Sequence, residues 1–170
     1  MFVGLPGAGK STIGRAVAKA LGRPFLDFDH EIEKRVGKSV TRIFAEQGEA
    51  KFREHEVQIT RELVAAPRMV LAPGGGWVTN VGVVELVRPP GRLIHLRISP
   101  DAALRRLSRS RVVRPLLKGV DPRSTIHQIW VSRAHLYAQS DLDVNVEVLD
   151  SQQVVDKIVA LARGLTVGLG

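Results

Sequence analysis

Apolar residues fall in short blocks along this chain, and stretches of helical periodicity separate them. Phe2-Val3 reads as a first strand, and residues 13–21 are apolar at helical spacing until Gly22 and Pro24 end the helix. Phe25-Leu26-Asp27 reads as strand two, with Asp29 as the cap of a helix over 30–36 that Gly37 stops. Ser39 starts a short helix running to Phe44, Gly48 breaks the pattern, and a longer helix covers about 49–65. Residues 69–72 form a buried strand that runs into Pro73-Gly74-Gly75-Gly76. A helix over 81–87, a strand over 93–98 and a helix over 101–107 behind Pro100 follow. Residues 108–121 are polar, Arg-rich and without periodicity, which predicts a mobile lid. A helix over 123–138, a strand over 144–148, a helix over 153–162 and a frayed tail over 164–170 complete the chain. Five strands alternating with helices predict a three-layer α/β/α domain around a parallel sheet, one domain over 1–170.

Composition narrows the partners. Zero cysteines exclude disulfides and thiolate chemistry, and no run approaches the ~18 apolar residues of a membrane span, so a cytoplasmic protein without membrane partners is expected. A Gly-rich motif stands where a signal peptide would, and the first strand is either short or cut from a longer product. The net charge of +8 admits nucleic acid or small polyanions. Five arginines cluster between Arg105 and Arg114 and aromatic residues make up only 5%, which favours small polyanions over nucleic acid.

The motif itself is Gly4-Leu5-Pro6-Gly7-Ala8-Gly9-Lys10-Ser11-Thr12, matching G-x-x-x-x-G-K-[ST] between a strand and a helix. Glycines let successive backbone N–H groups face one anion, and the helix opening at Ser11 adds its positive end. Gly7, Ala8, Gly9, Lys10, Ser11 and Thr12 are therefore the expected ATP-phosphate binders. Lys10 serves the β- and γ-phosphates and Ser11 is a ligand for Mg²⁺. In open α/β sheets ligands gather at the carboxyl ends of strands, so the residues after each strand matter most. After strand two stand Asp27 and Asp29, two apart on an extended segment and so on one side. They suit the Mg²⁺ shell (Asp27) and a substrate hydroxyl (Asp29), or a helix cap and a surface charge. After strand three Gly74, Gly75 and Gly76 let a ligand approach the main chain, unless they are only a flexible turn. Arg53, Arg114 and Arg133 sit in distinctive contexts, yet each alone is compatible with a solvated charge.

Taken in order, these pieces resemble the shikimate kinase family almost end to end. The resemblance rests on Gly4 to Thr12 with Ile13-Gly14-Arg15, Leu26-Asp27-Phe28-Asp29, Gly48-Glu49 with Phe52-Arg53, the three glycines, Arg114-Pro115-Leu116-Leu117, and Arg133-Ala134 with Leu136-Tyr137. It implies a P-loop kinase fold with substrate-binding helices over about 30–60 and an Arg-rich lid. It also implies transfer of the γ-phosphoryl of ATP to the 3-hydroxyl of shikimate, with Mg²⁺, in a protein that acts as a monomer. By position, Arg53 and Arg133 would hold the shikimate carboxylate, Gly75 would add backbone contact, and Asp29 would bind the hydroxyls and act as base. Glu56 would brace the substrate arginine, Phe44 and Phe52 would wall the pocket, and Arg114 would descend with the lid. Arg106 would stack on adenine, with Gln152 in the segment 151–153 across the slot.

Two positions depart from the family pattern. Trp77 follows the glycines where a small residue is common, and either reshapes the pocket or packs outward; His135 replaces a proline. No chemistry is assigned to any histidine. Two other readings stay open: a catalytically silent ligand-sensing domain of the same fold, and a related kinase for a small polyol such as gluconate.

Overall fold

A computed structural model describes residues 1–66, 68–109 and 121–164. The strands are β1 (Phe2–Val3), β2 (Phe25–Asp27), β3 (Val70–Ala72), β4 (Ile94–Arg97) and β5 (Leu142–Asn145). The helices are α1 (Lys10–Leu21), α2 (Phe28–Val36), α3 (Val40–Leu63), α4 (Val83–Val87), α5 (Pro100–Ser108), α6 (Pro122–Tyr137) and α7 (Ser151–Ala162), with a 3₁₀ turn at Trp77–Thr79. Every ladder is parallel, as a strand–helix alternation requires. The chain is α/β, with α1 against α7 and α5 against α6 around the strands.

One continuous five-stranded sheet is not formed by hydrogen bonds among the described residues. Ladders join β1-β4-β5 and, separately, β2-β3. β3 lies beside β1, which is only two residues long. Phe2, Val3, Leu93, Leu96 and Val144 are buried and form the middle of the core with Val17, Ile32, Ile43 and Ile158.

Several boundaries correct the sequence reading, each for a local reason. The cap of α2 is Asp27, whose side chain accepts from the His30 N–H, so Asp29 stands inside the first turn of the helix. The two carboxylates thus straddle a strand–helix junction instead of sharing an extended segment. The break at Gly48 is real, but as a kink at φ 80°, ψ 169° inside one run of helix. β5 ends at Asn145, earlier than expected, because its side chain accepts from the Glu147 N–H and turns the chain. Asp121 starts α6 by accepting from the N–H groups of Arg123 and Ser124. Of the predicted lid only its ends belong to described structure; residues 110–120, Arg114 among them, lie outside the described residues, as do 165–170 of the tail. Among the described residues no helix is long and apolar enough to cross a membrane.

Candidate active site

A cavity of about 1340 Å³ opens at the carboxyl ends of β1, β2 and β3. One end is the turn between β1 and α1. Gly9 caps α1 at φ 92°, a left-handed conformation that glycine adopts without strain, and no side chain caps this helix. The first-turn N–H groups therefore face the cavity, where an anion is the natural partner. Lys10 folds back over the turn and its Nζ donates to the carbonyls of Gly4 (2.9 Å) and Leu5 (3.1 Å). Ser11 Oγ donates to Asp27 Oδ2, so the residue after Lys10 is tied to the end of β2.

The other end is assembled from α2, α3, the glycine turn and α6. Asp29, Phe44, Phe52, Arg53, Gly74, Gly75, Gly76 and Arg133 all line the same cavity as Gly7 to Thr12. Phe44 and Phe52 meet with ring centroids 4.8 Å apart, forming an apolar wall. The Arg53 side chain is only 14% exposed and is gripped by Glu49 and Glu56 at 2.6 and 2.7 Å. Burial works against its charge, but the two carboxylates more than offset this and hold its pKa above the usual arginine value. Glu56 is fully buried. Burial pushes its carboxyl above the ordinary glutamate range, Arg53 opposing and the nearby Asp29 carboxylate adding to the rise.

The glycines are required by close approach. A Cβ on Gly76 would run into the Arg53 guanidinium, and one on Gly74 would lie 2.7 Å from Glu56 Oε1 and 3.1 Å from Asp29 Oδ1. Arg133, 8% exposed, reaches the same turn from α6 and its Nη1 donates to the Gly75 carbonyl at 2.8 Å. Two guanidinium groups from helices 80 residues apart (133 − 53) thus press on one three-residue turn, with Asp29 beside it.

The adenine-side expectations divide. Arg106 lines the cavity and donates to the Val146 carbonyl at 2.6 Å, next to Glu147 and Leu149. Gln152 does not line it: the wall there is Asp150, Ser151 and Val154, while Gln152 is exposed and donates to Asp156 one turn along α7. Asp150 and Gln153 instead form a reciprocal cap, each accepting from the other's N–H. The sequence reading passed over Thr60 and Asn80, which bond Trp77 and Glu56 behind the turn. Thr60 lies one helical turn after Glu56, a spacing that puts both on one face of α3 and was available as a signal.

This combination of a phosphate loop, a glycine turn between two arginines and an aspartate extends over most of the chain, and so does the family match. The sequence profile described as shikimate kinase matches residues 6–163. The chain belongs to the shikimate kinase family. Like other shikimate kinases it aligns nearly throughout: it is 41% identical over 159 residues to the shikimate kinase of Bordetella avium, covering 93% of this chain and 76% of that protein. It is 39% identical over 167 residues to that of Chromohalobacter salexigens, covering 98% and 92%. Among solved structures, the shikimate kinase from Acinetobacter baumannii in complex with shikimate superposes with a TM-score of 0.88 at 34% identity, covering 96% of this chain and 91% of that one. The two departures from the family pattern are placed as follows. His135 is exposed on α6. Trp77 is fully buried behind the glycine turn and does not line the shikimate kinase cavity.

Proposed function

We propose that this protein phosphorylates the 3-hydroxyl of shikimate with ATP, giving shikimate 3-phosphate and ADP, a step of aromatic amino-acid (chorismate) biosynthesis. The observation that carries this reading is the single cavity in which the phosphate loop, Asp29, Arg53 and Arg133 meet, in a chain of this family. A carboxylate acceptor fits paired guanidinium forks, whose planar donors match its two oxygens. Arg53 and Arg133 hold that carboxylate, and the backbone of Gly74 to Gly76 packs on the ring. Asp29 orients the attacking hydroxyl and takes its proton as the oxygen bonds to the γ-phosphorus and the bond to the β-phosphate oxygen breaks. Gly7 to Thr12 bind the phosphates, and Lys10, joined by Arg114, stabilises the charge on the transferring group. Arg106 faces the adenine.

The residues present fit Mg²⁺. Ser11 Oγ and the Asp27 carboxylate meet at the loop, giving oxygen donors of the kind a hard cation takes. Among the described residues no cluster of three or more His, Cys, Asp or Glu could hold a metal ion. When bound, such an ion neutralises phosphate charge. The same reading takes the chain as one domain, acting as a monomer in the cytoplasm on small molecules and binding no nucleic acid.

A coupled ADP-release assay with shikimate, with gluconate and with no acceptor tests it. ADP formed only with shikimate is the expected result. Equal rates in all three, or turnover with gluconate alone, overturns the acceptor assignment, and tight shikimate binding without turnover identifies a sensing domain instead.

A further inference from the structure

Trp77 stands directly after the glycines and takes no part in the cavity wall. Its indole Nε1–H donates to the Thr60 hydroxyl at 2.8 Å, and that hydroxyl donates back to the Glu56 carbonyl at 2.8 Å. Both side chains are buried, Trp77 at 0% and Thr60 at 1% exposure. The Trp77 N–H closes the turn on the Gly74 carbonyl at 3.1 Å, and the Trp77 carbonyl accepts from Asn80 Nδ2 at 3.0 Å. Asn80 also donates to Glu56 Oε2 at 3.4 Å. The far end of the glycine turn is therefore fastened at two points to the stretch of α3 that carries Arg53.

The turn cannot move alone. Gly76 lies against the Arg53 guanidinium with no space for a methyl group, and Gly75 carries Arg133 on its carbonyl. A shift of the turn displaces one cation by contact and the other through its hydrogen bond. We infer that Trp77 and Thr60 are positioning residues: their buried hydrogen bond brackets the glycine turn to α3 and so sets both arginines for the acceptor carboxylate. The inference rests on the acceptor reading above. An N–H to hydroxyl bond inside a buried core suits the purpose, because losing the Thr60 hydroxyl leaves the buried indole N–H without an acceptor.

Steady-state kinetics of the full chain with shikimate and ATP varied separately test it in Trp77→Phe, which keeps a ring without the donor, and in Thr60→Val, which keeps the shape without the hydroxyl. KM for shikimate should rise about 5- to 20-fold in each, with kcat within about threefold and KM for ATP within about twofold. Thr60→Ser should restore wild-type KM, and the double variant should be no worse than the weaker single one. An unchanged KM for shikimate in both single variants, or equal rises in the two KM values with a lowered Tm, overturns the bracket. A ligand-free measurement separates this from failure of the functional reading. In protein carrying ¹⁵N-tryptophan, the Trp77 indole proton should exchange slowly, and about tenfold faster or more in Thr60→Val. Fast exchange in the wild type overturns the bracket whatever the protein phosphorylates. Slow exchange in a protein inert toward shikimate supports the bracket and rejects the acceptor.

Discussion

On the proposed reading, the nucleotide end of the cavity is made mainly of backbone, and the acceptor end mainly of side chains. At the first, the contiguous run Gly4 to Thr12 supplies backbone N–H groups from its non-proline residues, directed by glycine conformations and a helix start. At the second, Asp29, Arg53, Gly75 and Arg133 come from four separate elements, with Arg53 held by Glu56 and Arg133 bonded to the Gly75 carbonyl. A backbone cradle tolerates change at its variable positions because the donors belong to no particular side chain. A side-chain cradle depends on packing behind it, so substitutions that never touch the ligand can still disturb it.

The sharpest break of this contrast removes a side chain that acts on the transferring phosphoryl group in the proposed mechanism. Lys10→Met, and separately Arg114→Ala, should lower kcat by about 10³-fold with KM for shikimate little changed, as single-turnover and steady-state assays would register. An unchanged kcat in Arg114→Ala would remove that residue from the mechanism. At the acceptor end, Arg133→Met should raise KM for shikimate by about 30- to 100-fold and leave KM for ATP within twofold, the loss of a charge-assisted pair. Gly76→Ala should raise the same constant by about tenfold, because the new methyl group displaces Arg53. Equal effects on both substrates in either variant would show that the two ends are not built separately.

The smallest expected effects are in pH. Folding raises the Glu56 pKa, so its contribution is full below the ordinary glutamate value of about 4.3 and is lost as pH rises through the folded value. Urea midpoints between pH 4 and 8 should fall with pH more steeply in the wild type than in Glu56→Gln. His95 behaves oppositely. Burial lowers its pKa despite the Asp143 carboxylate 2.7 Å from Nδ1. Its contribution is full above about 6.5 and declines as pH drops through the lower folded value, a slope that His95→Gln should flatten.

The same contrast explains what could be read in the sequence. The phosphate loop was legible because its chemistry is contiguous and its flanks repeat at strand and helix periods. Asp29 stood out by its place after strand two, whereas Arg53 and Arg133 were legible only through family resemblance, since nothing local distinguishes a cavity arginine from a solvated one. The cap of α2 was misplaced by two residues because Asp27 and Asp29 are both good capping types, and the helix begins as soon as β2 ends. Gln152 is exposed and bonds Asp156, beside the Asp150–Gln153 cap that D-x-x-Q announces. The Trp77–Thr60 bond joins residues 17 apart across two elements, and no periodicity announces it.

The glycine turn touches two cations at once. Arg53 packs against Gly76 and Arg133 donates to the Gly75 carbonyl, so on the proposed reading the spacing offered to an anion depends on the turn as well as on the two arginines. Retuning this scaffold for a larger or smaller acid would mean recutting residues 74–76 together with the arginines they touch.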